Sequence, residues 1–356
     1  MKATKTTIKV VVVGPPPDIT SGSLHRPMNI YYSLKGLRYV EAKYVPIRTI
    51  RNFARNIWKI LRSNIIIVSG VEDPRLSAAL VVLARVLNKR IIADFHGFMW
   101  LEANVYDAPR SMRAWILISE KILYKFSHYV TVASEWLRNM LSAYYGARKN
   151  IFVIENAVPY LFEFTVSKLV YRFNINELRE YVCKKCSIKE CSNKTLILAP
   201  LPSWFKSNIL AYETLLKLNY CDNVLVIVTG TREVGSGKLN VIEVGYVGYL
   251  DYVILLLSAN YIILPYPTNA ICGGIRTKVL EAGYARKPLI STKAGVIFLH
   301  EAEPHKHYVP IEKSNILCEN SAFDKIANNL HTLIMKKYSF MRFKRKILSL
   351  IKRILK

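Results

Sequence analysis

Residues Leu264–Ser291 read LPYPTNAICGGIRTKVLEAGYARKPLIS, and this stretch decides the fold. The apolar run Tyr261–Leu264 ends at Pro265, as a strand does where it hands the chain to a loop. Gly273 and Gly274 follow, two residues whose lack of a side chain lets backbone come close to a ligand. Arg276, Thr277 and Lys278 open a helix that runs through Tyr284, and Pro288–Ser291 is the next strand. Strand, helix and strand in that order make a parallel unit. Such sheets bind ligands beyond the C-terminal ends of their strands, where helix N-termini favour anions. Gly273, Gly274, Ile275, Arg276, Thr277 and Lys278 are therefore candidates for holding a diphosphate, and Glu281, one turn further on, for accepting hydrogen bonds from ribose hydroxyls. The plain alternative is a helix-start loop with a solvated Glu.

The same alternation extends in both directions. Ile8–Val13, Tyr39–Val45, Asn64–Val68, Arg90–Asp94, Tyr129–Ala133 and Ile151–Ile154 read as strands, with helical spacing in most of the gaps between them. After an irregular, charged stretch the pattern resumes with strands at Thr195–Ala199, Val224–Thr229 and Val241–Val247, and a helix at Leu250–Ser258. The expected architecture is α/β, with two Rossmann-like, doubly wound parallel-sheet domains facing a central cleft. We place the first domain at 1–165, a Cys-bearing linker at 166–194, the second domain at 195–335 and a basic amphipathic helix at 336–356.

Two further clusters lie at strand ends of the first half. Gly22, Ser23, His25 and Arg26 lie in a small-residue loop that runs into a helix, where backbone amides meet anions. An ordinary connection reads the same way. Asp94 and His96 put a carboxylate and an imidazole at the edge of the cleft, which makes them candidate catalytic groups. Gly230–Lys238 is not a phosphate loop, because Gly237-Lys238 is followed by Leu239 and Arg232 stands where the first Gly belongs.

The chain has 356 residues, with 51 Lys plus Arg against 25 Asp plus Glu, a net charge of +26 that seeks polyanions: nucleic acid, anionic lipid or phosphorylated substrates. It contains no Gln, a bias compatible with life at high temperature. Cys183, Cys186 and Cys191 have no His beside them to complete a zinc site and read as loop thiols, free or paired. The first residues are polar and basic and no apolar run reaches the length of a membrane span, so a cytoplasmic protein is expected. Arg48, Arg51, Arg55, Lys59 and Arg62 fall on one face of a helix, with Ile50, Phe53, Ile57 and Leu61 on the other. Residues 336–356 carry nine Lys or Arg, no acid, and an apolar stripe of Phe340, Phe343, Ile347, Ile351 and Ile354. Both patterns suit peripheral attachment to the anionic inner face of a membrane; both also suit helices that pack on the protein's own core.

Taken in order, Val10–Leu34, the Asp94–Gly97 turn, Ile118–Asn156 (ISEKILYKFSHYVTVASEWLRNMLSAYYGARKNIFVIEN) and Val247–Pro265 (VGYLDYVILLLSANYIILP) resemble the GT-B glycosyltransferases of the large retaining family 4, which carries a Glu-x7-Glu signature. The resemblance implies a hexosyltransferase that uses a nucleotide-diphosphate sugar as donor substrate and needs no cofactor. It implies that Glu281 is the second Glu of the signature, that Lys206 binds phosphate, that His96 lies at the sugar, and that Gly248 and Tyr249 line the base. The chain departs from the family at Gly273, where the first Glu would stand, and at Leu201, where an Arg is usual; Arg232 or Arg276 is the candidate to restore that charge. Asp94-Phe95-His96, Ser203-Trp204 and Asn156–Phe162 are similar to stretches of the chitobiosyldiphosphodolichol beta-mannosyltransferases, which points to a lipid-linked acceptor alongside surface glycan or protein. No Asp-x-Asp pair is present to hold a metal, so no metal site is expected. Two other readings stay open: a basic nucleic-acid-binding protein, although the chain shows no helix-turn-helix, zinc-finger or RNA-binding strand signature, and a GT-B shell that binds sugar nucleotides without catalysis.

Overall fold

The computed structural model describes residues 7–17, 22–70, 73–186, 188, 193–203, 205–230, 238–311, 316–317 and 323–355. Asp18, Ser21, Cys191, Trp204, Arg232, Gly237, the side chain of Ser23 and the burial of Gly22 lie outside the described set. The chain divides into two units: Met1–Tyr160 with Cys272–Gly274 and Phe340–Lys356, and Leu161–Ile271 with Ile275–Ser339.

The first unit runs β1 (Ile8–Gly14), α1 (Gly22–Leu34), β2 (Val40–Pro46), α2 (Ile50–Leu61), β3 (Ile65–Ser69), α3 (Pro74–Val86), β4 (Arg90–Phe95), α4 (Met99–Val105), α5 (Arg110–Phe126), β5 (Tyr129–Val132), α6 (Glu135–Tyr145) and β6 (Ile151–Val153). Its six strands are parallel, in the order β2-β1-β3-β4-β5-β6. The continuous apolar runs follow from burial on both faces. Val11, Val13, Ile66, Val68, Ile91 and Ala93 enter one core with Ile60 of α2, Leu80 and Ala84 of α3, Leu123 of α5 and Leu137 of α6. Val10, Val12, Ile65, Ile67 and Ile92, the alternate positions, enter the other with Ile30 and Leu34 of α1. The sheet thus has α2, α3, α5 and α6 on one side and α1 on the other.

The second unit continues α7 (Tyr160–Arg172), α8 (Ile175–Lys185), β7 (Thr195–Pro200), α9 (Lys206–Leu216), β8 (Asn219–Tyr220), β9 (Val224–Thr229), β10 (Val241–Glu243), α10 (Tyr249–Ser258), β11 (Tyr261–Leu264), α11 (Thr277–Tyr284), β12 (Leu289–Ser291), β13 (Val309–Pro310), β14 (Ile316–Leu317) and α12 (Phe323–Lys337); α13 (Phe340–Leu355) closes the chain. Its main sheet is again six-stranded and parallel, in the order β10-β9-β7-β11-β12-β13, with a separate β14-β8 pair.

Two sequence expectations need correction. The stretch 166–194, read as an irregular linker, is largely helical: α7 and α8 span most of it, and Asn174 with Glu177 forms a capping box at the start of α8. Most of its described charged residues are exposed, and only a sparse set is buried, Val166, Leu169, Leu178 and Val182. Cys183 there is disulfide-bonded, and Cys186 is a free thiol. The apolar stripe of the C-terminal helix is not offered to a bilayer, because Phe340, Phe343, Ile347, Ile351 and Ile354 of α13 are all buried. All but Phe340 enter the core that α1 shares with the first sheet.

Candidate functional site

In the first unit the polar side chains gather where β3, β4 and β5 end. Register pairs Ser69 with Asp94 and Asp94 with Thr131, so three polar side chains stand at one level on adjacent strands. Ser69 Oγ donates to Asp94 Oδ2 at 2.6 Å and Thr131 Oγ1 to Oδ1 at 2.5 Å. Arg26, on α1, donates through Nε to both carboxylate oxygens at 3.0 and 2.9 Å and through Nη2 to Oδ1 at 2.8 Å. Its Nη1 reaches the Ile154 carbonyl at 2.6 Å and Asn156 Oδ1 at 3.1 Å, which ties the far edge of the sheet into the same network. Burial alone would raise the Asp94 carboxyl; the Arg26 charge and the hydrogen bonds from Arg26, Ser69 and Thr131 outweigh it and hold the group below the usual carboxylate range.

His25 and His96 flank this pair. Burial lowers the His25 ring to about 4, and desolvation also lowers His96, so both are neutral imidazoles at pH 7. Among the described residues, the buried Nδ1 of His96 has no hydrogen-bond partner. Of the loop proposed from sequence for anions, Gly22 opens α1, whereas His25 and Arg26 are buried at 7% and 4% exposure. The Arg26 guanidinium is held by Asp94 and is not an open phosphate ligand.

Cys272, Gly273 and Gly274 pack with the first unit. Ser134, the N-cap of α6, donates from Oγ to the Gly273 carbonyl at 2.8 Å. A Cβ on Gly273 would lie 2.6 Å from Gly97 Cα and 2.8 Å from the His96 carbonyl oxygen; one on Gly274 would lie 2.9 Å from Ala133 Cβ. Both glycines are therefore required by close approach, which explains why no carboxylate stands at 273.

The second unit presents three helix starts beyond its strands. α9, α10 and α11 begin after Phe205, Gly248 and Arg276, and none of these cap residues makes a side-chain hydrogen bond to the first turn. By contrast Thr49, Asp73, Ser134 and Asn174 cap α2, α3, α6 and α8 through their side chains. Lys206 is the first residue of α9 and is exposed. At α11, Lys278 Nζ donates to Tyr266 Oη at 2.9 Å and Asn208 Oδ1 at 3.1 Å, while Tyr266 Oη donates to Asn208 Oδ1 at 2.6 Å. The Arg276 guanidinium stacks 3.6 Å from the Tyr266 ring centroid and donates to the Ala270 carbonyl at 2.9 Å. Ile275 is buried, and Thr277 is half-buried at the helix start. Leu201 is buried at 1% exposure, so the position where an Arg was looked for belongs to the apolar core.

Glu281, one turn into α11, is buried and accepts from Tyr252 Oη at 2.6 Å. Desolvation raises its carboxyl to about 7, against the lowering effects of the Tyr252 hydrogen bond and the Lys278 charge. Gly248, Tyr246, Val247 and Asp251 line an open cavity of about 360 Å³ with Tyr181 and Lys185 of α8. Tyr249, the first residue of α10, has its phenol pushed up by burial. Sequence reasoning named Glu281, Lys278 and Arg276 but missed Tyr252, Tyr266 and Asn208, which hold them. The available signal was weak: Tyr266 follows the same strand as Pro265, and Asn208 lies two residues after Lys206.

Two parallel-sheet units of this kind define the GT-B class of α/β fold. In sequence, the model of Glycosyltransferase Family 4 matches residues 6–160. No curated protein matches the chain significantly. In structure the chain is similar to HepE of Anabaena in complex with UDP-glucose, at TM-score 0.63 and 11% identity over 97% of this chain and 100% of that one. It is similar to sucrose-phosphate synthase of Thermosynechococcus elongatus at TM-score 0.66 and 11% identity, over 98% of this chain and 99% of that one. It is also similar to S. aureus MnaA bound to UDP, at TM-score 0.57 and 10% identity, over 98% and 97%. At these identities the likeness is one of fold.

Proposed function

We propose that the protein is a glycosyltransferase that moves a hexose from a nucleotide-diphosphate sugar to a lipid-linked or surface glycan or protein acceptor. One observation carries the reading: the second unit combines three helix starts without side-chain caps with Lys206, Arg276 and Lys278 at two of them and a buried Glu281 one turn beyond. Amides and fixed cations that already face one region need little reorganisation to stabilise the charge on a departing diphosphate. In this account Lys206 and Lys278 take the diphosphate with the amides around Gly274 and Ile275, Arg276 and Thr277 begin the same anion-binding turn, and Glu281 accepts from ribose. The base sits by Gly248 and Tyr249. Similarity of fold to a protein bound to UDP-glucose and another bound to UDP supports a nucleotide donor, and the family match over residues 6–160 supports transfer as the reaction.

His96 is assigned to the transferred sugar, and Asp94 with Arg26 is a positioning pair that fixes the turn bearing it. The mechanism places the leaving-group charge on side chains and helix amides without a metal, and no cofactor enters it. Released nucleoside diphosphate, measured by chromatography after incubation with UDP-, GDP- and ADP-hexoses, tests the reading. The expected result is turnover with one nucleotide class and a loss of about 100-fold or more in kcat for His96→Ala. Turnover with none of them would leave a sugar-nucleotide-binding shell, and unchanged kcat in that variant would remove His96 from the reaction.

A further inference from the structure

We infer that the outer face of α2 is a docking surface for an anionic lipid bilayer, with α3 and α5 extending it on the same side of the first sheet. The inference rests on the basic balance of the chain and not on the donor assignment. Ile60 is the buried anchor of α2, and Phe53 packs against the same core, which fixes the opposite side of the helix toward solvent. On that outer side Trp58 stands 70% exposed. Arg51 lies seven residues before it, Arg55 three before and Arg62 four after, spacings that share one helical face. None of these three guanidinium groups forms an ion pair among the described residues. The segment Ile50–Leu61 contains no acidic residue, and Ile50 at its start is 73% exposed.

The neighbouring helices of this layer repeat the combination. Val86 of α3 is 77% exposed beside exposed Arg85, and Trp115 and Ile118 of α5 are about half exposed, with Lys121 one turn beyond Ile118. Singly exposed apolar side chains are ordinary, but an exposed indole and branched aliphatics interspersed with cations on helices of one layer fit a partner that is both apolar and anionic. A second copy of this chain would bring a like-charged surface against these arginines, since the net charge is +26. A nucleic acid would satisfy the cations and leave Ile50 and Val86 uncovered. An anionic bilayer accommodates both, with indole and aliphatic groups at the headgroup boundary and arginines among the phosphates. No helix among the described residues is long and apolar enough to cross the membrane, so this attachment lies on the surface. α13, whose apolar stripe is buried, does not contribute.

Co-sedimentation of the full chain with vesicles tests this, with no sugar nucleotide present. Vesicles of phosphatidylcholine with about 30 mol% phosphatidylglycerol should pull the protein down at about 0.1 M salt, and pure phosphatidylcholine should not. The triple variant Arg51→Ser, Arg55→Ser, Arg62→Ser should lower the partition coefficient at least about 30-fold, because each cation near an anionic surface contributes roughly a factor of five. Trp58→Ser should lower it about 5-fold or more, and Arg345→Ser with Lys352→Ser on α13 should leave it within about 2-fold. All these positions are exposed, and a melting curve confirms that each variant folds. Three results overturn the inference: no binding by the wild type, wild-type binding by the triple variant, or loss with the arginines but not with Trp58 alongside equal loss of duplex DNA binding. Dimers in sedimentation velocity that Trp58→Ser dissolves would assign the face to a second copy instead.

Discussion

At the scale of residues, the buried carboxylates Asp94 and Glu281 of the candidate site are held by named partners. Removing Arg26 would leave a buried carboxylate with one hydroxyl donor on each oxygen and no countercharge, whereas the pair as built supplies both. Glu281 differs, since its carboxyl is pushed up to about 7 by burial. The unfolded chain ionises this group near its ordinary value, so the folded state keeps a proton that the unfolded state has released. Stability from this site is complete below the ordinary carboxylate value and is lost as pH rises through about 7. Glu281→Gln should therefore be more stable than wild type at pH 8, by on the order of 2–3 kcal/mol, and match it near pH 4. The same variant should bind sugar nucleotide more weakly at pH 8, where the wild-type group is an ionised acceptor. Equal melting at both values would show that burial does not raise this carboxyl, and donor affinity that is unaffected would remove Glu281 from the site. These roles were partly legible in the sequence: the carboxylate is visible at its helix position, but Tyr252 lies 29 residues away and meets it only through the fold.

Among the elements, the loop before α11 shows how packing selects residue type. Gly273 has room for no Cβ against Gly97, so the Gly for Glu exchange at this point is a consequence of backbone approach. Gly273→Glu, which would restore the Glu-x7-Glu pattern, should destabilise the protein by about 1–3 kcal/mol through overpacking, seen as a lower melting temperature without a gain in turnover. A variant as stable as wild type would show that the loop is free to move away from His96 and Gly97. The strands were legible because a sheet covered on both faces needs unbroken runs such as Val10–Val13 and Ile65–Val68. α7 and α8 were not, because few of their residues are buried and the rest carry charge or exposed aromatics such as Tyr171. The two-residue strands β8, β13 and β14 carry no periodicity to read. The stripe on α13 was visible, yet periodicity alone does not say whether protein or lipid covers an apolar face.

For the whole molecule, two units of one architecture divide the labour proposed here: donor groups on the second, and on the first the His96 turn and the α2 face. The sequence pattern reached the two-sheet fold and the helix starts that carry the proposed donor candidates, since helix starts and strand ends follow from local chemistry. It did not reach the Arg26–Asp94 network, whose members are 68 residues apart and meet through strand register. The central claim is that the second unit binds a nucleotide-diphosphate sugar through Lys206, Lys278 and Glu281. Thermal melting of the full chain with UDP-, GDP- and ADP-sugars at saturating concentration measures it directly, because a ligand bound only by the folded state raises the melting point. The account predicts a rise of about 5 °C with one nucleotide class, lost in Lys206→Ala and Glu281→Ala. No rise with any class, or the same rise in both variants, would contradict it.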